Sequence, residues 1–168
     1  MTLQDINKTR YRKHLNIVLL VLSLSLMAMA VLFGQLLIAL FSDAQGSNFI
    51  FNMIGVLLAA SVCLAFTYQL RHHDFMLEVY YVWQLKQSLN KIYRKLKKIE
   101  AAALQNNIDA ITILNFYYQA SSQLFTLDDN TITMDSLKLE IDKLNARIEA
   151  NNLNIKVEDY KAALLENF

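Results

Sequence analysis

Charged residues are absent from two long stretches of this chain and crowd the regions around them. Residues 15–41, "LNIVLLVLSLSLMAMAVLFGQLLIALF", form a run of 27 without a charged side chain. Residues 49–70, "FIFNMIGVLLAASVCLAFTYQL", form a second of 22. About 20 such residues in a helix cross the hydrocarbon of a bilayer. Only "SDAQGSN" separates the two runs, which predicts a two-helix transmembrane hairpin. The apolar run continues well beyond the "AMA" at 28–30, so the first segment reads as an uncleaved span, not a signal peptide.

After the second run the pattern changes period. The stretch 71–83, "RHHDFMLEVYYVW", is neither lipid-like nor plainly soluble, and a bend near 71–75 is expected there, with the aromatics at the interface or packed against the domain. Val82, Leu85, Leu89, Ile92, Leu96, Ile99 and Ala103 then recur every three or four residues, a heptad stripe of the coiled-coil kind. Asn106–Asn107 suits a helix end and a new cap. The next helix carries Ile111, Leu114, Tyr118 and Phe125 on one face, widened by Ile113, Phe116 and Tyr117, and is expected to be the most buried. "TLDDNTITMDSLKLEIDKL" predicts a turn and then a helix capped by Thr133 or Asp135. That helix uses Leu137, Ile141, Leu144 and Ile148 and ends near Asn151–Asn152; "VEDYKAALLENF" predicts a last short one. Proline is absent and the three glycines stop at Gly55, so the turns of a sheet are missing. The expected fold is all-α: a membrane hairpin over 1–73 and a small domain of about four helices over 74–168.

Charge adds direction. Lys8, Arg10, Arg12 and Lys13 precede the first span, and Arg71 and then Lys86 onward come after the second, while the connecting turn has only Asp43. The positive-inside rule places both termini in the cytoplasm and the connecting turn on the far side of the membrane. Residues 86–98 hold six basic groups (Lys86, Lys91, Arg94, Lys95, Lys97 and Lys98) and no acid; residues 99–168 hold five basic and eleven acidic groups. The basic run is expected to pair with the acidic helices or to stay solvated. Anionic lipid is the next candidate. On a straight continuation of the second span, however, Lys86 and Lys98 would stand about 24 and 42 Å beyond Leu70, several Debye lengths away. Nucleic acid is the least favoured partner.

Within the spans, small residues let helix backbones approach. Ala30 and Gly34 in the first, and Gly55 and Ala59 in the second, fall at matching depths counted from the turn. Gln35, Asn52 and a few hydroxyls, Ser23 among them, are polar groups there; they suit interhelical hydrogen bonds, or the lining of a path in an oligomeric channel or transport component. Intramembrane charges, the usual mark of transport, are missing. The lone Cys63 offers neither a disulfide nor a zinc spacing. His14, His72 and His73 flank one end of both spans, near Asp74 and Glu78. They are the weak candidates for a metal or haem site, set against their common use as interfacial polar groups. A calcium loop starting at Asp129 fails at Met134, where glycine is required.

The stretches "YRKHLNIV", "EVYYVWQLKQSLNKIYRKLKKI", "LNFYYQ" and "LDDNTIT" resemble an uncharacterised family of short gammaproteobacterial inner-membrane proteins, a domain of unknown function. The resemblance implies two spans with a cytoplasmic tail, and no reaction or catalytic residues. The sequence thus leads to a membrane-anchored interaction, scaffold or accessory protein. It is expected to have no catalytic activity and no cofactor, and its partners are the bilayer and another protein or further copies of itself.

Overall fold

The computed structural model describes residues 2–42 and 46–168; Met1 and the turn residues Asp43, Ala44 and Gln45 lie outside them. Six α-helices run in order: α1 Lys8–Phe41, α2 Phe49–Leu70, α3 Leu77–Tyr93, α4 Leu96–Leu104, α5 Ile108–Asp128 and α6 Met134–Ala150. Two 3-10 segments, Val157–Asp159 and Ala162–Asn167, come last, and there is no strand among the described residues.

The chain divides into two compact units, residues 13–80 and residues 1–12 with 81–168. The boundary expected at 73/74 is thereby displaced on both sides. Residues 74–80 go with the hairpin, where Phe75 stacks on His14 and Tyr80 meets His72 edge-on. Residues 1–12 go with the helical unit, where Tyr11 is fully buried.

In the first unit, α1 and α2 are long and apolar enough to cross a membrane. Core helices of a soluble protein would bury their large side chains, but Leu32 is 67% and Leu64 71% exposed. Helices apolar all round and outward-facing suit lipid as a solvent. α2 stops at Leu70; the turn 71–76 is closed by the N–H of His73 donating to Leu70 O (2.9 Å) and that of Met76 to His73 O (2.7 Å). A straight helix from the second apolar run into α3 is therefore excluded.

The helical unit is built around α5. From Ala110 to Phe116 every residue is buried, so this helix is enclosed on all sides. Asn107 caps it, its Oδ1 accepting from the Ala110 N–H at 2.9 Å. Asn106 before it takes φ 60°, the left-handed conformation that asparagine tolerates. α4, α6 and both 3-10 segments pack on α5.

The heptad stripe is not one helix. α3 ends at Tyr93 and α4 begins at Leu96. Arg94, Lys95, Lys97 and Lys98 repel at helical spacing there, and Lys95 leaves the helix to donate from Nζ to Leu165 O at 2.8 Å. Val82, Leu85, Leu89, Ile92 and Ile99 are all buried and Leu96 is half-buried, so the seam is filled within the chain. The final helix is likewise replaced by 3-10 turns. Tyr160 adopts extended backbone between them and stacks on Phe116, with ring centroids 4.1 Å apart. Segments this short gain too little from helix propagation to resist that packing.

Several tyrosines of this unit resist ionisation. Burial, reinforced by Glu100 and Glu140, pushes the Tyr118 phenol up to about 12. Burial also raises Tyr81, Tyr117 and Tyr160. An acid whose folded-state pKa is raised contributes stability that is complete below the unfolded value near 10 and lost as pH rises through the folded one. For Tyr118 alone the loss is about 2–3 kcal/mol. The helical signal of purified protein should therefore collapse between about pH 10 and 12; circular dichroism showing no change up to pH 12 would contradict it.

Candidate functional site: a docked basic arm and an exposed cationic edge

Asn7 opens α1 by accepting from the Arg10 N–H at 3.0 Å. Lys8 and Arg12, one helical turn apart, both reach the carboxylate of Asp129. Tyr11, between them, donates from its hydroxyl to Asp128 Oδ1 at 3.2 Å, and Lys86 Nζ lies 2.8 Å from Asp128 Oδ2. Two carboxylates at the C-terminus of α5 oppose that helix's dipole, so the arriving cations neutralise an otherwise unfavourable pair. A polar ring completes the docking. The Gln4 N–H donates to Tyr81 Oη (2.9 Å), Tyr81 donates to Gln123 Oε1 (3.1 Å), and Gln123 Nε2 returns to Gln4 O.

Asp128, Asp129, Tyr11, Gln4 and Gln123 were not legible as one site. The available signal was an "LDD" at a helix end and a "KTRYRK" far away, with nothing to say they meet. Asp129→Asn preserves the left-handed backbone at this position (φ 56°) while removing the charge. These pairs are about half exposed, so a loss of about 0.5–1 kcal/mol is expected at low ionic strength. Thermal unfolding should show the gap closing at about 1 M salt; a deficit unchanged by salt would mean that charge is not the cause.

The basic run divides into three. Lys86 pairs with Asp128. Lys95 and Lys98 cap carbonyls at the chain end, Leu165 O and Phe168 O. Lys91, Arg94 and Lys97 are exposed, and their side chains have no hydrogen-bond or ionic partner among the described residues. Tyr93, 66% exposed, stands among them.

The three histidines do different things. His14 Nδ1 lies 3.0 Å from Glu78 Oε2, both side chains mostly enclosed, with its ring on Phe75. His72 Nε2 accepts from Arg71 Nε at 2.9 Å. His73 Nδ1 accepts from the Phe75 N–H in its own turn. Among the described residues no group of three or more histidine, cysteine or acidic side chains is arranged to hold a metal. The metal candidates His14, His72 and His73 thus each have one ring nitrogen at a different local group: a carboxylate, a guanidinium and a backbone N–H.

In the hairpin, Gly34 and Gly55 are buried and face each other. A Cβ at Gly55 would sit 2.6 Å from Gly34 N, 2.8 Å from Gly34 Cα and 3.2 Å from Ala30 O. Ala59 and Cys63 are buried further along α2. Asn52 Oδ1 lies against Gly34. Gln35 is exposed, and Ser23 donates to Leu19 O within its own helix.

Together these features define an all-helical protein with an apolar two-helix hairpin and a separate small helical unit into which its own N-terminus folds. The chain belongs to the family described as "Protein of unknown function (DUF3087)", whose model matches residues 1–165. No curated protein and no solved structure matches it.

Proposed function

We propose that this protein is a membrane-anchored interaction protein, a scaffold or accessory subunit without catalytic activity of its own. In this reading α1 and α2 sit in the bacterial inner membrane with both termini in the cytoplasm. The positive flanks before α1 and after α2 support that orientation. The observation that carries the interaction role is the edge formed by Lys91, Arg94 and Lys97, which the chain leaves exposed and unneutralised although it neutralises Lys8, Arg12 and Lys86 internally. Such an edge suits the acidic surface of a protein partner or of another copy.

Affinity capture of the tagged full chain from native membranes should recover a protein partner or a homo-oligomer. The triple change Lys91→Glu, Arg94→Glu, Lys97→Glu should reduce that recovery severalfold. Recovery of neither, or full recovery with the charges reversed, would refute the role. Membrane-impermeant labelling of tags at the two ends should find both on the inner side. A channel built from several hairpins has less support, because backbone contact at Gly34 and Gly55 leaves no path inside one hairpin; ion flux through the reconstituted protein would restore it.

A further inference from the structure

α6 buries Leu137 and Leu144. Its opposite side carries Asp135, Leu139, Asp142, Ala146 and Glu149, all exposed and recurring every four and three residues in turn. That spacing sets the five side chains in one line along the helix, about 21 Å long at 1.5 Å per residue. The side chains of its three acids have no hydrogen-bond or ionic partner among the described residues. Of the two lysines at its borders, Lys143 is neutralised by Glu140 and Lys138 stands on the other side. The cationic edge has the converse make-up. Past Lys91 and Arg94, α4 exposes Lys97, Ala101 and Leu104 at the same four-three spacing. Leu104 is 69% exposed, and Leu139 in the acidic line 60%. One surface thus sets acids around a leucine and an alanine, and the other sets cations beside an alanine and a leucine. Within one chain none of these cations meets any of these acids.

The two surfaces come together at one end of α4, where Arg147 Nη1 donates to Ala103 O at 2.8 Å. A basic half beside an acidic half is complementary to itself after a half-turn, since basic then meets acidic twice about one axis. An unrelated acidic partner would match the cations and leave Asp135, Asp142 and Glu149 unmatched; a second copy matches both. Holding two copies in one membrane and one orientation also raises their effective concentration. We propose that the acidic line of α6 docks on the cationic edge of a second copy of this chain, and that the second copy returns the same contact, closing a twofold pair. The inference rests on the membrane-anchored interaction reading and names its partner as the chain itself.

The test is sedimentation velocity of the full chain in mild detergent. Wild type should run as a pair at low ionic strength and lose most of its pairing at about 0.5 M salt. Lys91→Glu with Arg94→Glu and Lys97→Glu reverses one surface; Asp135→Lys with Asp142→Lys and Glu149→Lys reverses the other. Each triple variant alone should pair about tenfold less than wild type, with its helical signal unchanged. Mixed together, the two should pair with each other as wild type pairs with itself, because each then offers the charge that the other needs. A monomeric wild type, a reversed variant that pairs as wild type does, or a mixture that stays monomeric would overturn the proposal. Where a reversed variant does not fold, wild-type pairing indifferent to about 0.5 M salt overturns it instead. A monomeric wild type that still captures another protein through Lys91, Arg94 and Lys97 ends this proposal alone; one that captures nothing ends the interaction role as well.

Discussion

Gly55→Ala is expected to weaken the hairpin by about 2–3 kcal/mol, and Gly34→Ala by less than about 1 kcal/mol. The asymmetry comes from what each added methyl meets. At Gly55 it meets backbone: Gly34 N at 2.6 Å and Gly34 Cα at 2.8 Å. Neither atom can move unless the two helices separate, and separation removes the close packing that holds helices together in lipid, where no hydrophobic force between them exists. At Gly34 the added methyl meets Asn52 Oδ1 at 2.9 Å, while the nearest backbone atom, Asn52 Cα, is at 3.7 Å. Asn52 is exposed, and its side chain can rotate away. Thermal unfolding of both variants in the same mild detergent checks this. Equal losses, or a larger loss at Gly34, would show that the close approach is not where the hairpin is held.

Tyr11→Ala is expected to destabilise the helical unit by about 3–5 kcal/mol, the range for deleting a buried aromatic side chain. Tyr11 is 1% exposed and is among the largest fully enclosed side chains. Its ring supplies most of that effect; its hydroxyl supplies the bond to Asp128. Tyr11→Phe keeps the ring and should cost only about 1–2 kcal/mol, because Asp128 retains Lys86. Hydrogen exchange should report the consequence locally: in Tyr11→Ala, protection of residues 4–12 falls toward that of free peptide while α5 remains protected. Equal effects of the two substitutions would mean that the arm is held by its polar contacts and not by burial.

Much of the architecture could be read along the chain because helices are local objects. Hydrogen bonds in a helix close within four residues, so periodicity locates it, and a side chain such as Asn107 can mark its start by itself. α5 announced its enclosure through apolar residues on every side. The same locality explains the misreadings. A stripe from Val82 to Ala103 has helical spacing throughout, and nothing along the chain shows that Lys95 will leave the helix for the Leu165 carbonyl, 70 residues away. "VEDYKAALLENF" has helical composition, but Tyr160 gains more by stacking on Phe116 than three turns of isolated helix could offer.

The sequence by itself determined that the chain is helical, where its two long apolar helices lie, and to which family it belongs, since each is set by composition and period over short windows. Only the tertiary structure decided that residues 2–12 fold into the unit that resumes at Tyr81, that Asp128 and Asp129 receive them, and that His14, His72 and His73 take separate partners. It alone set how closely Gly34 and Gly55 approach. Contacts across more than a hundred residues depend on shape and on which charges remain unpaired once the core has closed, and neither quantity is written in any local stretch of chain.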